Sequence, residues 1–257
     1  MLGGVIEMSD LPSSLNSYLQ QPLVSSACLV VWNGSKKSES DIDLMVVSSF
    51  VQQDEGRHFD GVIDAKIYSK DMFLFRSAMW DVEVTETILG GAVVHGDCSL
   101  FHALKGKFLY ETPTDVVLRY LRFRSIECLS QAIQLYGRGL VDVVKQLYEK
   151  NVSPEISRKE MFTEESSGTL DYSLRKSLNM LSYAISYESF AQSYERGDRG
   201  VTLLTLLQDY TNPLNEHLRE SITVSRNAKL SKILPETVRF MIDKTRMVLG
   251  GEPLVTI

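Results

Sequence analysis

A chain of 257 residues, 44% of them hydrophobic, has material for one large domain or two moderate ones with real cores. Its net charge of -6, with both signs spread along the chain, excludes a broad nucleic-acid or membrane footprint, though not a local basic patch. Cys28, Cys98 and Cys128 are odd in number, far apart and in no zinc spacing, which fits a reducing compartment. The opening residues MLGGVIEMSD lack a basic region followed by an apolar one, and no stretch approaches the roughly 20 apolar residues needed to span a bilayer. The expectation is a soluble cytoplasmic protein with no membrane partner.

In chain order, a first helix is expected over Asp10 to Leu23, capped by Ser9 or Asp10, with Pro12 in its first turn. Strands follow at about Ala27 to Trp32, Asp41 to Ser48 and Gly61 to Ser69. Asn33-Gly34 between the first two apolar runs is a strong turn dipeptide. One helix is predicted from Asp71 to Leu89, with Met72, Phe75, Met79, Val82, Thr85 and Leu89 near helical spacing, stopped by Gly90-Gly91. A strand at Ala92 to His95 and a short helix at Ser99 to Leu104 complete the first half.

The chain changes character near Glu111-Thr112-Pro113-Thr114. From Asp115, behind Thr114 as N-cap, a long amphipathic segment runs to about Lys150. Val117, Leu121, Leu129, Ile133, Leu140, Val144 and Tyr148 lie near one stripe, and Gly137 and Gly139 are candidate kinks. A loop is expected over Asn151 to Gly168. Helices follow at Leu170 to Tyr194, Gly200 to Tyr210, Leu214 to Ser225 and Pro235 to Leu249. The reading is an α/β or α+β domain over 1–112 and a helical bundle over 113–257.

The residues that carry chemistry lie in VVWNGSKKSESDIDLMVV and FDGVIDAKIYS. Strand alternation puts Asp41, Asp43, Met45 and Val47 on one face and Ile42, Leu44 and Val46 on the other. Both faces turn apolar past Leu44, as in a strand covered on both sides. Two carboxylates side by side repel, and a site that holds them usually supplies cations. In the later segment Val62, Asp64, Lys66 and Tyr68 share a face opposite Ile63, Ala65 and Ile67. If the two strands pair, Asp64 reaches the first two aspartates across the ladder. Three carboxylates of this kind can clamp two magnesium ions for an in-line phosphoryl displacement. Gly34 lets the backbone approach a triphosphate, and the N–H groups and hydroxyl around Ser35 can bind its phosphates. Lys36 and Lys37 are further phosphate contacts or a solvated turn. Asp60, read as lying on the same strand face nearer the strand start, is the rival third carboxylate. Lys66 is a phosphate or substrate contact, or an ion-pair partner of Asp64. Glu83 and Glu86, on the helix that follows, are each an exposed helical glutamate, the commoner use of that residue type, or a general base for an acceptor hydroxyl.

Gly34-Ser35 followed by Ser40-Asp41-Ile42-Asp43-Leu44 and a later lone aspartate on a strand resembles the signature of the polymerase-β-like nucleotidyltransferase superfamily. The match covers about Ala27 to Asp97. Ile88 to Asp97, ILGGAVVHGD, is similar to the Gly-x-x-hydrophobic-x-Gly segment of aminoglycoside-type members, which carry a C-terminal helical bundle. The five residues between Ser35 and Asp41 make a shorter spacer than that family usually has. The resemblance implies an α+β fold, with a mixed sheet and flanking helices followed by an all-α bundle. It implies that Gly34 and Ser35, with Ser40 nearby, bind the nucleotide triphosphate. Asp41 and Asp43 would bind both metals, Mg2+ or in its place Mn2+, and Asp64 the catalytic metal. The activity expected is transfer of a nucleoside monophosphate, AMP from ATP foremost, to a hydroxyl of a small-molecule acceptor. The alternatives are a protein or RNA acceptor, as in toxin–antitoxin relatives, or a silent NTP-binding scaffold. The acidic balance disfavours nucleic acid. The sequence leaves the oligomeric state open.

Overall fold

The computed structural model describes residues 12–33, 42–50, 55–60, 62–149 and 164–227. Gly34, Ser35, Lys36, Lys37, Ser40, Asp41, both candidate caps of the first helix and the expected helix from Pro235 to Leu249 lie outside these residues. The described chain is α+β. It falls into two compact units, Met1–Tyr120 with Ser193–Leu203, and Leu121–Gln192 with Leu204–Ile257.

The first unit is built on five strands: β1 (Leu29–Asn33), β2 (Ile42–Ser48), β3 (Glu55–Asp60), β4 (Ile63–Ser69) and β5 (Ala92–Gly96). Their order is β3-β4-β2-β1-β5. β2 and β4 run parallel; the other three pairings are antiparallel. One face carries Val30, Ile42, Leu44, Val46, Ile63, Ala65 and Ile67, buried against Leu15, Tyr18 and Leu19 of α1 (Ser13–Leu19) and Val24 of α2 (Pro22–Ser25). The single helix expected over this stretch is thus two short ones, the second started by Pro22 at a position where no backbone N–H is needed.

β3 was not expected. Its sequence EGRHFD has little apolar alternation, and it forms because β4 offers it a complete ladder. The α1 helix pins it from one side. Tyr18 Oη hydrogen-bonds His58 Nδ1 at 3.0 Å, their rings stack, and Gln21 Nε2 donates to Asp60 Oδ2 at 2.7 Å. Burial and the nearby Asp60 carboxylate push the Tyr18 hydroxyl up to about 12, so it keeps its proton.

The predicted helix from Asp71 to Leu89 is broken into α3 (Lys70–Ala78) and α4 (Val82–Gly90). Trp80 takes a left-handed backbone, φ 53°. For a bulky residue that costs on the order of 1–2 kcal/mol. The buried indole offsets the cost: it packs edge-on against Phe108 and Tyr194, with ring centroids 5.1 and 5.3 Å away. Asp81 then caps α4 by accepting from Glu83 N at 3.2 Å. Its other oxygen accepts from Arg76 Nη1 at 3.2 Å and Tyr120 Oη at 3.0 Å. The break also moves the buried stripe: Phe73, Arg76 and Ser77 face inward, and Phe75 is exposed.

Two glycines around β5 are required by close approach. A Cβ on Gly91 would lie 2.4 Å from Thr87 O and 2.9 Å from Trp32 O. Gly96 has φ 93°, with Cys28 O at 2.2 Å from the same position. α5 (Cys98–Tyr110) is longer than expected; its cap is Asp97, which accepts from Ser99 N and Leu100 N.

In the second unit α6 (Asp115–Glu149), of which residues 121–149 belong here, is one continuous helix through Gly137 and Gly139. α7 (Glu164–Glu195) begins earlier than the expected Leu170, inside the stretch read as a loop. Leu121, Leu129 and Ala132 bury with Leu178, Leu181, Ala184 and Ile185, whereas Ile133 of the predicted stripe is exposed. The side chains of Leu140, Val144 and Tyr148 lie outside the described residues. Small residues let α6 and α7 approach closely, with Ser125 Oγ donating to Ala184 O at 2.7 Å and Ser177 Oγ to Ala132 O at 2.6 Å. Ser182 Oγ and Ser221 Oγ, 3.1 Å apart, tie α9 (Pro213–Asn227) to α7. The segment expected to be helical from Gly200 to Tyr210 is α8, reduced to Leu203–Gln208.

Asp81 joins the helix break to a buried cation. Asp81→Ala strands Arg76 without its carboxylate, and the expected loss of stability is about 3–5 kcal/mol in equilibrium urea unfolding. Asp81→Asn keeps the cap and should cost visibly less.

Candidate functional site on the outer sheet face

β2 is buried along its whole length except at one residue, Asp43. That exposure reflects its place in the sheet. The carboxylate stands near the strand's emerging end, on the face opposite the α1 layer. The residue beside it on the parallel neighbour β4 is Asp64. Adjacent strands are about 4.8 Å apart, so the two carboxylates rise from neighbouring backbone positions on the same side. Asn33 of β1 flanks Asp43 on the other side, and its Nδ2 donates to Thr87 Oγ1 of α4 at 3.3 Å.

Behind this row lies a second, formed by Met45, Lys66 and Arg57. Arg57 reaches diagonally to Asp64: Nε donates to Oδ1 at 2.7 Å and Nη2 donates to Oδ2. Lys66 ion-pairs with Glu83 of α4, and Asp64, one of the two alternatives offered for it, is held by Arg57. Tyr68 Oη also donates to Glu83 Oε2, at 3.2 Å. The polar face therefore reads Asp43 and Asp64, then Arg57 and Lys66, then Glu83 above them.

Asp60 is not on this face. It ends β3, opposite Ile63, and an antiparallel partner shares its neighbour's side of the sheet. It therefore belongs to the α1 side, where Gln21 binds it. The sequence reading placed Asp60 and Asp64 on one strand; the hairpin between them reverses the chain and the side.

Glu86 is also elsewhere. Its Oε1 accepts from Leu203 N, the first residue of α8. Burial pushes the Glu86 carboxyl up to about 7 despite that hydrogen bond, and Tyr194 is pushed up in turn by its own burial and by Glu86.

Asp43 and Asp64 are hard oxygen donors of the kind that hold divalent cations such as Mg2+ or Mn2+, and their shared face suits that use. Asp41, the third expected ligand, lies outside the described residues. Among the described residues no group of three or more His, Cys, Asp or Glu side chains is disposed to hold a metal ion. No helix among them is long and apolar enough to cross a membrane.

No protein-family model matches the chain, and no curated protein matches it. A solved nucleotidyltransferase-like protein from Exiguobacterium sibiricum shows a distant structural likeness. Its TM-score is 0.32 at 8% sequence identity, with 91% of this chain and 76% of that chain covered.

Glu86 should leave a mark on stability against pH. Its carboxyl binds its proton more tightly folded than unfolded, so the folded state holds the extra proton between about pH 4.5 and 7. Stability should fall as pH rises through that window, by at most about 1.4 kcal/mol per pH unit from this group. Glu86→Gln should flatten that part of the profile in urea unfolding measured from pH 4.5 to 8.

Proposed function

We propose that the chain is a nucleotidyltransferase dependent on divalent cations. It moves a nucleoside monophosphate, AMP from ATP foremost, to a hydroxyl of a small-molecule acceptor and releases pyrophosphate. One observation carries this reading. Two carboxylates, Asp43 and Asp64, are register partners on parallel strands and share one face, while the opposite face of both strands is apolar. The signature Gly34-Ser35 and Ser40-Asp41-Ile42-Asp43 runs into Asp43 along the sequence and supports the assignment.

In this reading Asp43 and Asp64, with Asp41, hold two Mg2+ ions, for which Mn2+ can substitute. Gly34, Ser35, Lys36, Lys37 and Ser40 receive the triphosphate. Bound ions supply charge stabilisation to the entering and leaving oxygens of an in-line displacement. The rest is the work of side chains. The acceptor oxygen forms a bond to the α-phosphorus, the bond from that phosphorus to pyrophosphate breaks, and the hydroxyl proton needs a base. Glu83 is the better candidate of the two glutamates, because Lys66 and Tyr68 orient it over the sheet face whereas Glu86 is taken by the backbone N–H of Leu203. Lys66 adds positive charge beside it for a phosphate oxygen.

A second reading has one observation behind it. The guanidinium of Arg57 spans both oxygens of Asp64, a charge-assisted pairing that would serve a silent NTP-binding scaffold as well.

The two readings separate in a calorimetric titration of ATP, CTP, GTP and UTP with magnesium. The transferase reading expects one nucleotide to bind only with metal, and binding to be lost in Asp43→Asn and Asp64→Asn. Nucleotide binding that ignores metal and survives both substitutions favours the scaffold. Once an acceptor is found by product chromatography, Glu83→Gln should lower kcat about 10²–10⁴-fold with little change in nucleotide affinity. Lost nucleotide affinity at unchanged kcat would make Glu83 a binding residue.

A further inference from the structure

Arg57 lies on β3, the edge strand, and the pair it forms with Asp64 is lopsided. The Asp64 side chain is 16% exposed and the Arg57 side chain 55%. The carboxylate is fixed in the sheet beside Asp43, while the guanidinium sits on a long stem at the rim. The stem can rotate into water without moving the backbone. A guanidinium fork and a divalent cation compete for the same two oxygens. A hard dication needs at least one of them, and a positive charge next to the pair opposes the arrival of another.

We propose that Arg57 is an internal counter-cation for Asp64, which neutralises the carboxylate and releases it when Asp43 and Asp64 take up a divalent cation. The proposal rests on the cation reading of that face. It goes beyond it in making Arg57 a positioning residue that sets the apparent cation affinity. On the edge strand such a residue can leave the site without disturbing the ladder between β4 and β2, because β3 lies on the far side of β4 from β2.

The test is a titration with Mn2+, free ion followed by electron paramagnetic resonance, on the full chain, with folding checked by circular dichroism. Arg57→Ala should bind Mn2+ about three- to fivefold more tightly than the wild type, the scale of an exposed ion pair removed from competition. Arg57→Lys keeps the charge but loses the fork and should fall between the two. Arg57→Ala/Asp64→Asn should bind Mn2+ no better than Asp64→Asn alone, because the carboxylate for which Arg57 competes is gone. A shift in melting temperature on adding Mg2+ should rank the variants in the same order. The proposal is overturned if Arg57→Ala binds Mn2+ no better than the wild type while Asp43→Asn or Asp64→Asn still abolishes binding; the cation reading then stands without it. If neither the wild type nor any Arg57 variant binds Mn2+, both fall together. Should Arg57→Ala fail to fold, Arg57→Lys decides alone: tighter binding than wild type supports the proposal, and equal or weaker binding overturns it.

Discussion

The parallel pairing of β2 with β4 is the contact on which the first unit depends. Ile42, Leu44 and Val46 on one strand and Ile63, Ala65 and Ile67 on the other must bury under α1 together. A slip of one residue would turn every side chain of β4 to the other face and put Asp64 among the aliphatics. The apolar face thus dictates what happens on the polar one. Asp43 and Asp64 become neighbours because the six apolar side chains between and beyond them have a single way to bury. Parallel strands cannot be joined by a tight turn, and here the chain returns through β3, which completes the sheet edge on the way.

Charge on that face is balanced in steps. Asp43 stays exposed, Asp64 is covered by Arg57, and Lys66 is matched by Glu83. The same arrangement protects the edge. β3 carries Glu55, Arg57, His58 and Asp60, a poor template for strand addition by another chain. It is tied down on its other side by Tyr18 and Gln21 of the α1 region. Side chains on both faces therefore hold one short, mostly polar strand.

The helices around the sheet are placed by polar contacts as much as by apolar burial. Asp81 ends one helix run, starts the next and neutralises Arg76, all with one side chain. Glu86 accepts from the backbone N–H of Leu203, within the first unit. Within the second unit, serine hydroxyls bonded to carbonyls of the facing helix make α6 and α7 a close pair rather than a greasy one.

Much of this was legible in the residues. The period-two alternation around Asp43 and Asp64 assigns each side chain to a face, because a pleated strand has no other way to arrange them. The runs that form β1, β2, β4, β5, α6 and α9 are strongly patterned, and each stands where its pattern puts it to within a few residues. What the sequence could not determine follows from contacts distant along the chain. EGRHFD has no strand pattern and becomes β3 only because β4 has an open edge. Asp60 lands on the α1 side because of the hairpin that follows it. The helix break at Trp80 needs a positive φ that local propensity opposes, and Phe108 and Tyr194 make it worthwhile. Arg57 was invisible as a partner of Asp64, since they stand seven positions apart in sequence and only a hairpin closes the distance. The sequence by itself determined which side chains share a face, a matter of backbone period. Which faces meet was decided by the tertiary structure, because the core is buried as a whole and each strand's register is set by its neighbours.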